Sequence, residues 1–265
     1  MRLATWNVNS LKARLGRVEA WLAECEPDVL CLQETKLADD AFPALTFQAL
    51  GYESVHHGQG RWNGVAILSR VGLREPAVGF APGDTVVGDN VVGGEARIVS
   101  ATCGGMRVAS VYVPNGRALD DPQYELKLQW LHHLREHLEP ACEATDPVVV
   151  CGDFNIAPTD DDVWDAAAVH GATHVSGPER DALRALEQLG LHDVFRRHHK
   201  GTGLYSWWDY RAGAFHKGLG MRIDLVLAVE ALAEQSTWAY IDRNARKGEG
   251  PSDHAPVIVD FALSR

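Results

Sequence analysis

Val148-Val149-Val150-Cys151-Gly152-Asp153-Phe154-Asn155 sets four apolar residues, three of them β-branched, directly before a Gly-Asp pair and an amide. β-Branched side chains suit the pleated surface of a strand, and a Gly-Asp step ends one. The pattern recurs at Leu3–Trp6, Val29–Leu32, Val65–Leu68, Arg97–Thr102, Val108–Val113, Ile223–Val229 and Pro256–Phe261, each bounded by Gly, Pro, Asn or Asp. Helical spacing is rarer. Leu11, Leu15, Val18, Trp21 and Leu22 share one helical face, with Lys12, Arg14, Arg17 and Glu19 off it and Ser10 as expected N-cap. Tyr124, Leu128, Leu131, Leu134 and Leu138 mark a second helix. Ser176-Gly177-Pro178-Glu179 opens a third with a capping-box pattern, passing Leu183, Leu186 and Leu189 before Gly190 ends it. Strands dominate and helices are inserted irregularly. This points to an α/β architecture of two packed sheets with outer helices rather than a strictly alternating parallel fold. No internal repeat, low-complexity tract or Pro/Gly/Ser linker interrupts the chain, so residues 1–265 read as one domain.

Composition narrows the function classes. The 265 residues are 46% hydrophobic and 23% charged, with a net charge of −11, values that exclude a disordered, collagen-like or coiled-coil chain. No stretch approaches the roughly 20 apolar residues needed to cross a bilayer. The N-terminal segment reaches polar Asn7 almost at once, so the expectation is a cytoplasmic protein with no membrane partner. Five scattered cysteines without a C-x-x-C pair argue against a disulfide framework or a zinc site. The acidic balance argues against a protein that coats DNA, but a nucleic-acid enzyme needs only a local basic rim.

Polar residues collect at the strand ends: Asn7 after Leu3–Trp6, Glu34 after Val29–Leu32, Asp153 after the quoted run, and Asp253-His254 ahead of the last strand. Singly, each is what a turn or a solvated strand end requires. Together they matter, because strand ends at one edge of a sandwich converge on a common surface. Asp224 lies inside an apolar strand, where a carboxylate is costly unless a donor or cation meets it. His254 is the natural partner, a carboxylate being able to orient an imidazole and stabilise its charge; Arg222 or a backbone group is the alternative.

Six motifs occur in order along nearly the whole chain: Trp6-Asn7-Val8-Asn9, Leu32-Gln33-Glu34-Thr35-Lys36, Tyr112-Val113-Pro114-Asn115-Gly116, Gly152-Asp153-Phe154-Asn155, Arg222-Ile223-Asp224 and Ser252-Asp253-His254-Ala255-Pro256. The set resembles the exonuclease III family of abasic-site endonucleases, within the endonuclease/exonuclease/phosphatase superfamily. The resemblance implies a four-layer α/β/β/α sandwich of two packed mixed β-sheets flanked by helices. It also implies a divalent metal, Mg²⁺ with Mn²⁺ able to substitute, and double-stranded DNA with abasic sites or blocked 3′ ends as partner. A monomer is the default expectation.

Phosphodiester cleavage needs charge neutralised on the phosphate, a nucleophile made from water and the departing 3′ oxygen stabilised. Within the resemblance, Glu34 is the principal metal ligand, supported by Asn7 and Asp253. Asp153 orients or deprotonates the attacking water, and Asn155 positions that water or the phosphate. His254, held by Asp224, donates to a phosphate oxygen, while Tyr112 and Asn115 meet the phosphate or the leaving oxygen. Trp207, Met221 and Ile223 line a small apolar pocket for a flipped-out sugar, which would reject a nucleotide still carrying its base. Arg117, Arg61 and Lys12 head the rim candidates for the duplex backbone. The expected reaction is incision 5′ to an abasic site, leaving a 3′-hydroxyl and a 5′-deoxyribose phosphate, together with trimming of 3′ ends. The same residues would serve a superfamily phosphodiesterase or phosphatase acting on RNA or phospholipid headgroups, and a non-catalytic damaged-DNA-binding module would retain the fold.

Overall fold

The computed structural model describes residues 1–80, 94–144 and 146–263, together with the backbone of 85–87 and 90–92. The runs read as strands are strands, and they lie centrally in two six-stranded sheets. The first sheet has the order Ser236–Ile241, Val257–Phe261, Arg2–Asn7, Val29–Gln33, Val65–Ser69, Glu53–His57. The second has the order Leu191–Asp193, Asp224–Val229, Val148–Asp153, Met106–Tyr112, Ile98–Cys103, Arg74–Val78. In each sheet the two middle strands are parallel and the other neighbouring pairs antiparallel. A parallel pair needs a crossover, and helices supply both. Leu11–Cys25 joins Arg2–Asn7 to Val29–Gln33, and Pro122–Glu143 joins Met106–Tyr112 to Val148–Asp153.

Burial explains why these strands read as unbroken apolar runs. Leu3, Cys31 and Ile67 of the first sheet pack with Val108, Val149, Cys151 and Val226 of the second in the central core. Their strand neighbours point outwards. Ala4, Trp6, Leu30 and Leu32 meet Val18, Trp21 and Leu22 of the Leu11–Cys25 helix and Phe47 of Ala44–Ala49. Val148, Val150, Leu225 and Leu227 meet Trp130, Leu131 and Leu134 of Pro122–Glu143 and Leu183 and Leu186 of Gly177–Glu187. The layers are therefore α/β/β/α, and a strand covered on both faces carries apolar residues at every position. Trp208 is 1% exposed and belongs to the central core. The five cysteines are free thiols. Among the described residues no helix is long and apolar enough to cross a membrane.

Local expectations fail at two helix ends. Ser10 precedes the first helix with φ 90° and makes no side-chain cap bond. Its N–H and that of Leu11 instead donate to the carbonyls of Glu34 and Thr35, so the neighbouring turn takes over the cap's work. The third helix does begin with the Ser176–Glu179 capping box but stops at Glu187, and Gly190 closes the following turn at φ 85°.

Gly152 belongs to Val148–Asp153, opposite Val111 of Met106–Tyr112, with φ 148°, and a Cβ there would stand 1.9 Å from the Val111 carbonyl oxygen. Backbone cannot move aside as a flexible side chain can. Gly152→Ala is expected to lower unfolding stability by about 2–3 kcal/mol, the cost of overpacking a core. Urea denaturation with an unchanged m-value checks it; a midpoint equal to that of the parent refutes the steric argument.

Candidate active site

Middle strands that run parallel end on the same edge, and their antiparallel neighbours begin there. Asn7 and Tyr112 close their strands, Glu34 follows Gln33, Asp153 closes Val148–Asp153, Asp224 opens Asp224–Val229 and His254 stands just before Val257–Phe261. In register, Asp153 lies opposite both Tyr112 and Asp224. The chain turns sharply here: Asn9, Glu34 and Asn155 adopt left-handed conformations at φ 43°, 51° and 53°. Such strain in non-glycine residues persists only where surrounding contacts hold it.

Asn7 is the hub. Its Nδ2 donates to Glu34 Oε1 at 2.8 Å and to Asp153 Oδ2 at 2.9 Å, and its Oδ1 accepts the Asn9 N–H at 2.9 Å. Asp153 Oδ1 accepts the Asn155 N–H at 2.9 Å, and Asn155 Oδ1 accepts from Asn115 Nδ2 at 3.1 Å. Burial pushes the Asp153 carboxyl up to about 7; the charge on His254 opposes the rise, and the Asp224 and Glu34 carboxylates add to it. Burial, with the Glu34 carboxylate next, holds the Tyr112 phenol well above its ordinary range.

His254 Nδ1 donates to Asp224 Oδ2 at 2.8 Å, while Nε2 faces Asp153 Oδ2 at 3.7 Å. Asp224 thus has the imidazole as partner, and Arg222 turns away to Asp162 and Asp193, at 2.7 Å each. Burial alone would discharge His254, but Asp224 and Asp153 outweigh it and raise the imidazole to about 10. Ser206 Oγ accepts the N–H groups of Ile223 and Asp224, fixing the start of that strand.

Glu34, Asp153 and His254 bring ligand-type atoms within 4.8 Å of one another. A protonated imidazole bound to Asp224 has no lone pair to give, which leaves a pair of carboxylates. That donor set suits a hard cation that keeps much of its water. Asp253 adjoins the cluster, with its oxygens accepting from Asn9 Nδ2 at 2.9 Å and Trp207 Nε1 at 3.1 Å. Burial works against its charge, yet His254 and these two donors hold it below the usual carboxylate range.

Trp207 pairs with Met221 in a short ribbon and packs on a small cluster containing Met221 and Ile223. Its ring lies 6.5 Å from that of His254, while Ile223, 2% exposed, is almost wholly covered. Arg117 is exposed at the rim with φ 57°, and its N–H donates to Asn115 Oδ1 at 3.0 Å. Arg61 lies over the exposed Trp62 ring, and Lys12 is exposed on the first helix; among the described residues neither hydrogen-bonds the cluster.

The endonuclease/exonuclease/phosphatase family model matches residues 4–254. The chain belongs to that family. It is 32% identical to exodeoxyribonuclease III of Haemophilus influenzae, over 98% of this chain and all of that protein. A Neisseria 3′ phosphatase bound to product DNA hairpin superposes with a TM-score of 0.91 at 40% identity, covering 98% of this chain and 99% of that one. An AP endonuclease from Archaeoglobus fulgidus gives 0.92 at 36% identity, covering 99% and 100%. The expected four-layer fold is thus shared with these members.

Behind the site of this family member lies a support that strand-end residues alone do not reveal. Lys127 Nζ donates to the Asn155 carbonyl at 2.7 Å, the Asn115 carbonyl at 3.2 Å and Glu179 Oε1 at 2.5 Å. Both ion-pair partners are fully buried. His174, at φ 78°, donates from Nδ1 to the Asn155 carbonyl and sets its ring 6.5 Å from Trp207. Burial, followed by the Lys127 charge, pushes its pKa down to about 4. Asn9 links Asp253 to Lys36, whose Nζ also pairs with Glu34 at 2.9 Å. Lys127 has a sequence signal: it falls on the apolar stripe shared by Tyr124 and Leu131. Asn9 is marked only as the last residue of the Trp6-Asn7-Val8-Asn9 motif, and His174 has no signal.

Glu179→Gln leaves Lys127 buried without a counter-charge, and the expected loss is about 3–5 kcal/mol at neutral pH. Burial raises the Glu179 carboxyl, but Lys127 and the Ser176 and His174 donors outweigh it and hold it below its ordinary value. Its contribution is therefore complete above the ordinary carboxylate range and fades as pH falls through the depressed value. Thermal unfolding of parent and variant should converge on acidification; a gap that stays constant down to low pH refutes the pair's role.

Proposed function

We propose that the protein is a divalent-metal-dependent DNA-repair nuclease that incises duplex DNA 5′ to abasic sites, leaving a 3′-hydroxyl and a 5′-deoxyribose phosphate, and that also trims 3′ ends of intracellular DNA. The observation that carries this reading is the Asn7 amide joining Glu34 and Asp153 beside the Asp224–His254 pair. The H. influenzae, Neisseria and A. fulgidus proteins support DNA as the substrate.

Glu34, with Asp153 beside it and Asp253 nearby, would hold Mg²⁺ or Mn²⁺; Asn7, expected as a ligand, turns its N–H groups to both carboxylates and its oxygen to the Asn9 N–H, and so positions them instead. When bound, such a cation neutralises charge on the scissile phosphate. The remaining work falls to the protein. Asp153 faces the centre of the cluster and is placed to orient the attacking water and accept its proton, with Asn155 holding that carboxylate through its N–H. His254 presents a charged Nε2–H to a phosphoryl oxygen as negative charge builds, its orientation fixed by Asp224. Asn115 and Tyr112 meet the phosphate or the departing oxygen from the second sheet. Trp207 and Met221 offer an apolar wall to a baseless sugar, which costs least to extrude because no base is unpaired. Arg117 reaches the duplex rim.

The test is a nicking assay on duplex oligonucleotides with and without one tetrahydrofuran abasic analogue. The parent should nick the analogue strand once, on its 5′ side, and chelation should stop it. Asp153→Asn and His254→Ala should each lose on the order of 10²–10⁴-fold in rate. Equal cutting of the intact duplex, or activity that survives chelation, would sink the proposal.

Likeness to a 3′ phosphatase favours a second reading, in which 3′-end processing is the main activity. A recessed duplex bearing a 3′ phosphate decides between them. Phosphate release that outruns abasic nicking at equal enzyme and DNA concentrations would put the second reading first.

A further inference from the structure

Arg246 is 6% exposed, yet it pairs with no carboxylate among the described residues. Its Nη1 donates to the Ser252 carbonyl at 2.5 Å, and its Nε meets no acceptor among those residues. The guanidinium lies over the rings of Phe215 and Tyr210, 4.8 Å and 5.4 Å from their centroids. Burial pushes its pKa down, with Tyr210 and, at longer range, Asp253 resisting. A buried cation without a counter-ion is expensive in a folded chain. Two aromatic faces offset part of that cost, and an anionic ligand would offset the rest.

The geometry supplies room for one. Arg246 lines an open groove of about 280 Å³ with Tyr210, Phe215, His216, Lys247 and Asp209. Asp209 is already engaged by Arg211 at 2.7 Å, so it does not neutralise Arg246. Arg14 donates to the Tyr210 hydroxyl at 3.1 Å, and Arg243 also lies over the Phe215 ring, 4.3 Å from its centroid. A chain of net charge −11 thus concentrates cations around one groove. The groove also borders the active site. Ser252, which takes Arg246, donates through its hydroxyl to the Asn7 carbonyl at 2.7 Å, and the next residue is Asp253.

We infer that this groove is a phosphate-binding subsite that receives one backbone phosphate of the DNA away from the scissile bond, with Arg246 as its anchor and Lys247 at its mouth. The inference rests on the reading of the protein as a DNA nuclease. An anchor of this kind fixes the register of the duplex over the cluster without reading sequence. Arginine suits the role, since its planar fork can reach two phosphate oxygens while the aromatic rings hold its plane.

The test measures binding without cutting. Fluorescence anisotropy of an abasic duplex is followed in the presence of a chelator across a KCl series. Removing one cation that pairs with a DNA phosphate lowers the slope of log K against log[KCl] by about one. Arg246→Met is expected to show that drop with a several-fold weaker complex at low salt, and Arg246→Lys should restore most of the slope. Lys247→Glu, on an exposed side chain, should weaken binding in the same direction and carries the test if Arg246→Met does not fold. Slopes and affinities unchanged in the folded variants overturn the inference, even with abasic nicking intact. A lowered slope in a protein that fails to nick would spare the subsite and sink the nuclease reading instead. Inorganic phosphate separates the remaining source. If Arg246→Met abolishes its competition with DNA but leaves the duplex slope untouched, the groove takes free phosphate and the DNA assignment falls.

Discussion

Two carboxylates from different sheets meet at a single amide. Glu34 rises from the first sheet and Asp153 from the second, and the Asn7 side chain donates to both. Like charges at this separation, away from bulk water, repel and favour protonation of one of them. Burial is the main cause of the rise of Asp153 to about 7, opposed by the His254 charge, and the Asp224 and Glu34 carboxylates add to it. The amide itself cannot rotate freely. Asn9 binds its oxygen and Ser252 binds the Asn7 backbone carbonyl, so both hydrogens of Nδ2 stay aimed at the carboxylates. A cation placed there would relieve the same repulsion, and the cluster is arranged around that need.

The second joint between the sheets has opposite electrostatics. His254 belongs to a segment of the first sheet and Asp224 to the second, and their contact stabilises charge rather than straining it. The protein therefore sets a fixed positive donor beside a pair of carboxylates that prefer not to be charged together. Strained turns at Asn9, Glu34 and Asn155 aim the side chains, and the Lys127–Glu179 pair braces the Asn155 carbonyl from behind. The cost of the strain falls on a scaffold whose two faces and interior are closely packed, which holds the turns in place.

The central strands were legible because both their faces are covered, and continuous apolar runs leave little ambiguity. Edge strands were not. Arg74–Val78 is exposed throughout and carries Pro76, and Ser236–Ile241 alternates with most of its residues at the surface. Arg74–Val78 lacks an apolar run, and in Ser236–Ile241 the run Trp238–Ile241 leaves Trp238 and Tyr240 exposed, so pairing follows from an open sheet edge rather than from composition alone. The candidate site was legible in its carboxylates, amides and imidazole, since each closes or opens a recognisable strand. Its supports were only partly so: the apolar stripe marks Lys127 as buried without naming Glu179 as its partner, and nothing local sets Arg246 over two aromatic rings.

Sequence alone determined the layering, the identity of the strand-end residues and the expectation that they would share an edge, because side-chain periodicity and turn chemistry are local. It could not decide that Asp224 takes His254 while Arg222 goes to Asp162 and Asp193. Nor could it place Arg246 over two aromatic rings beside an open groove. Those choices depend on which groups, distant along the chain, are desolvated together. A buried charge selects its partner by proximity in three dimensions, and only the packing of the two sheets and their loops sets that proximity.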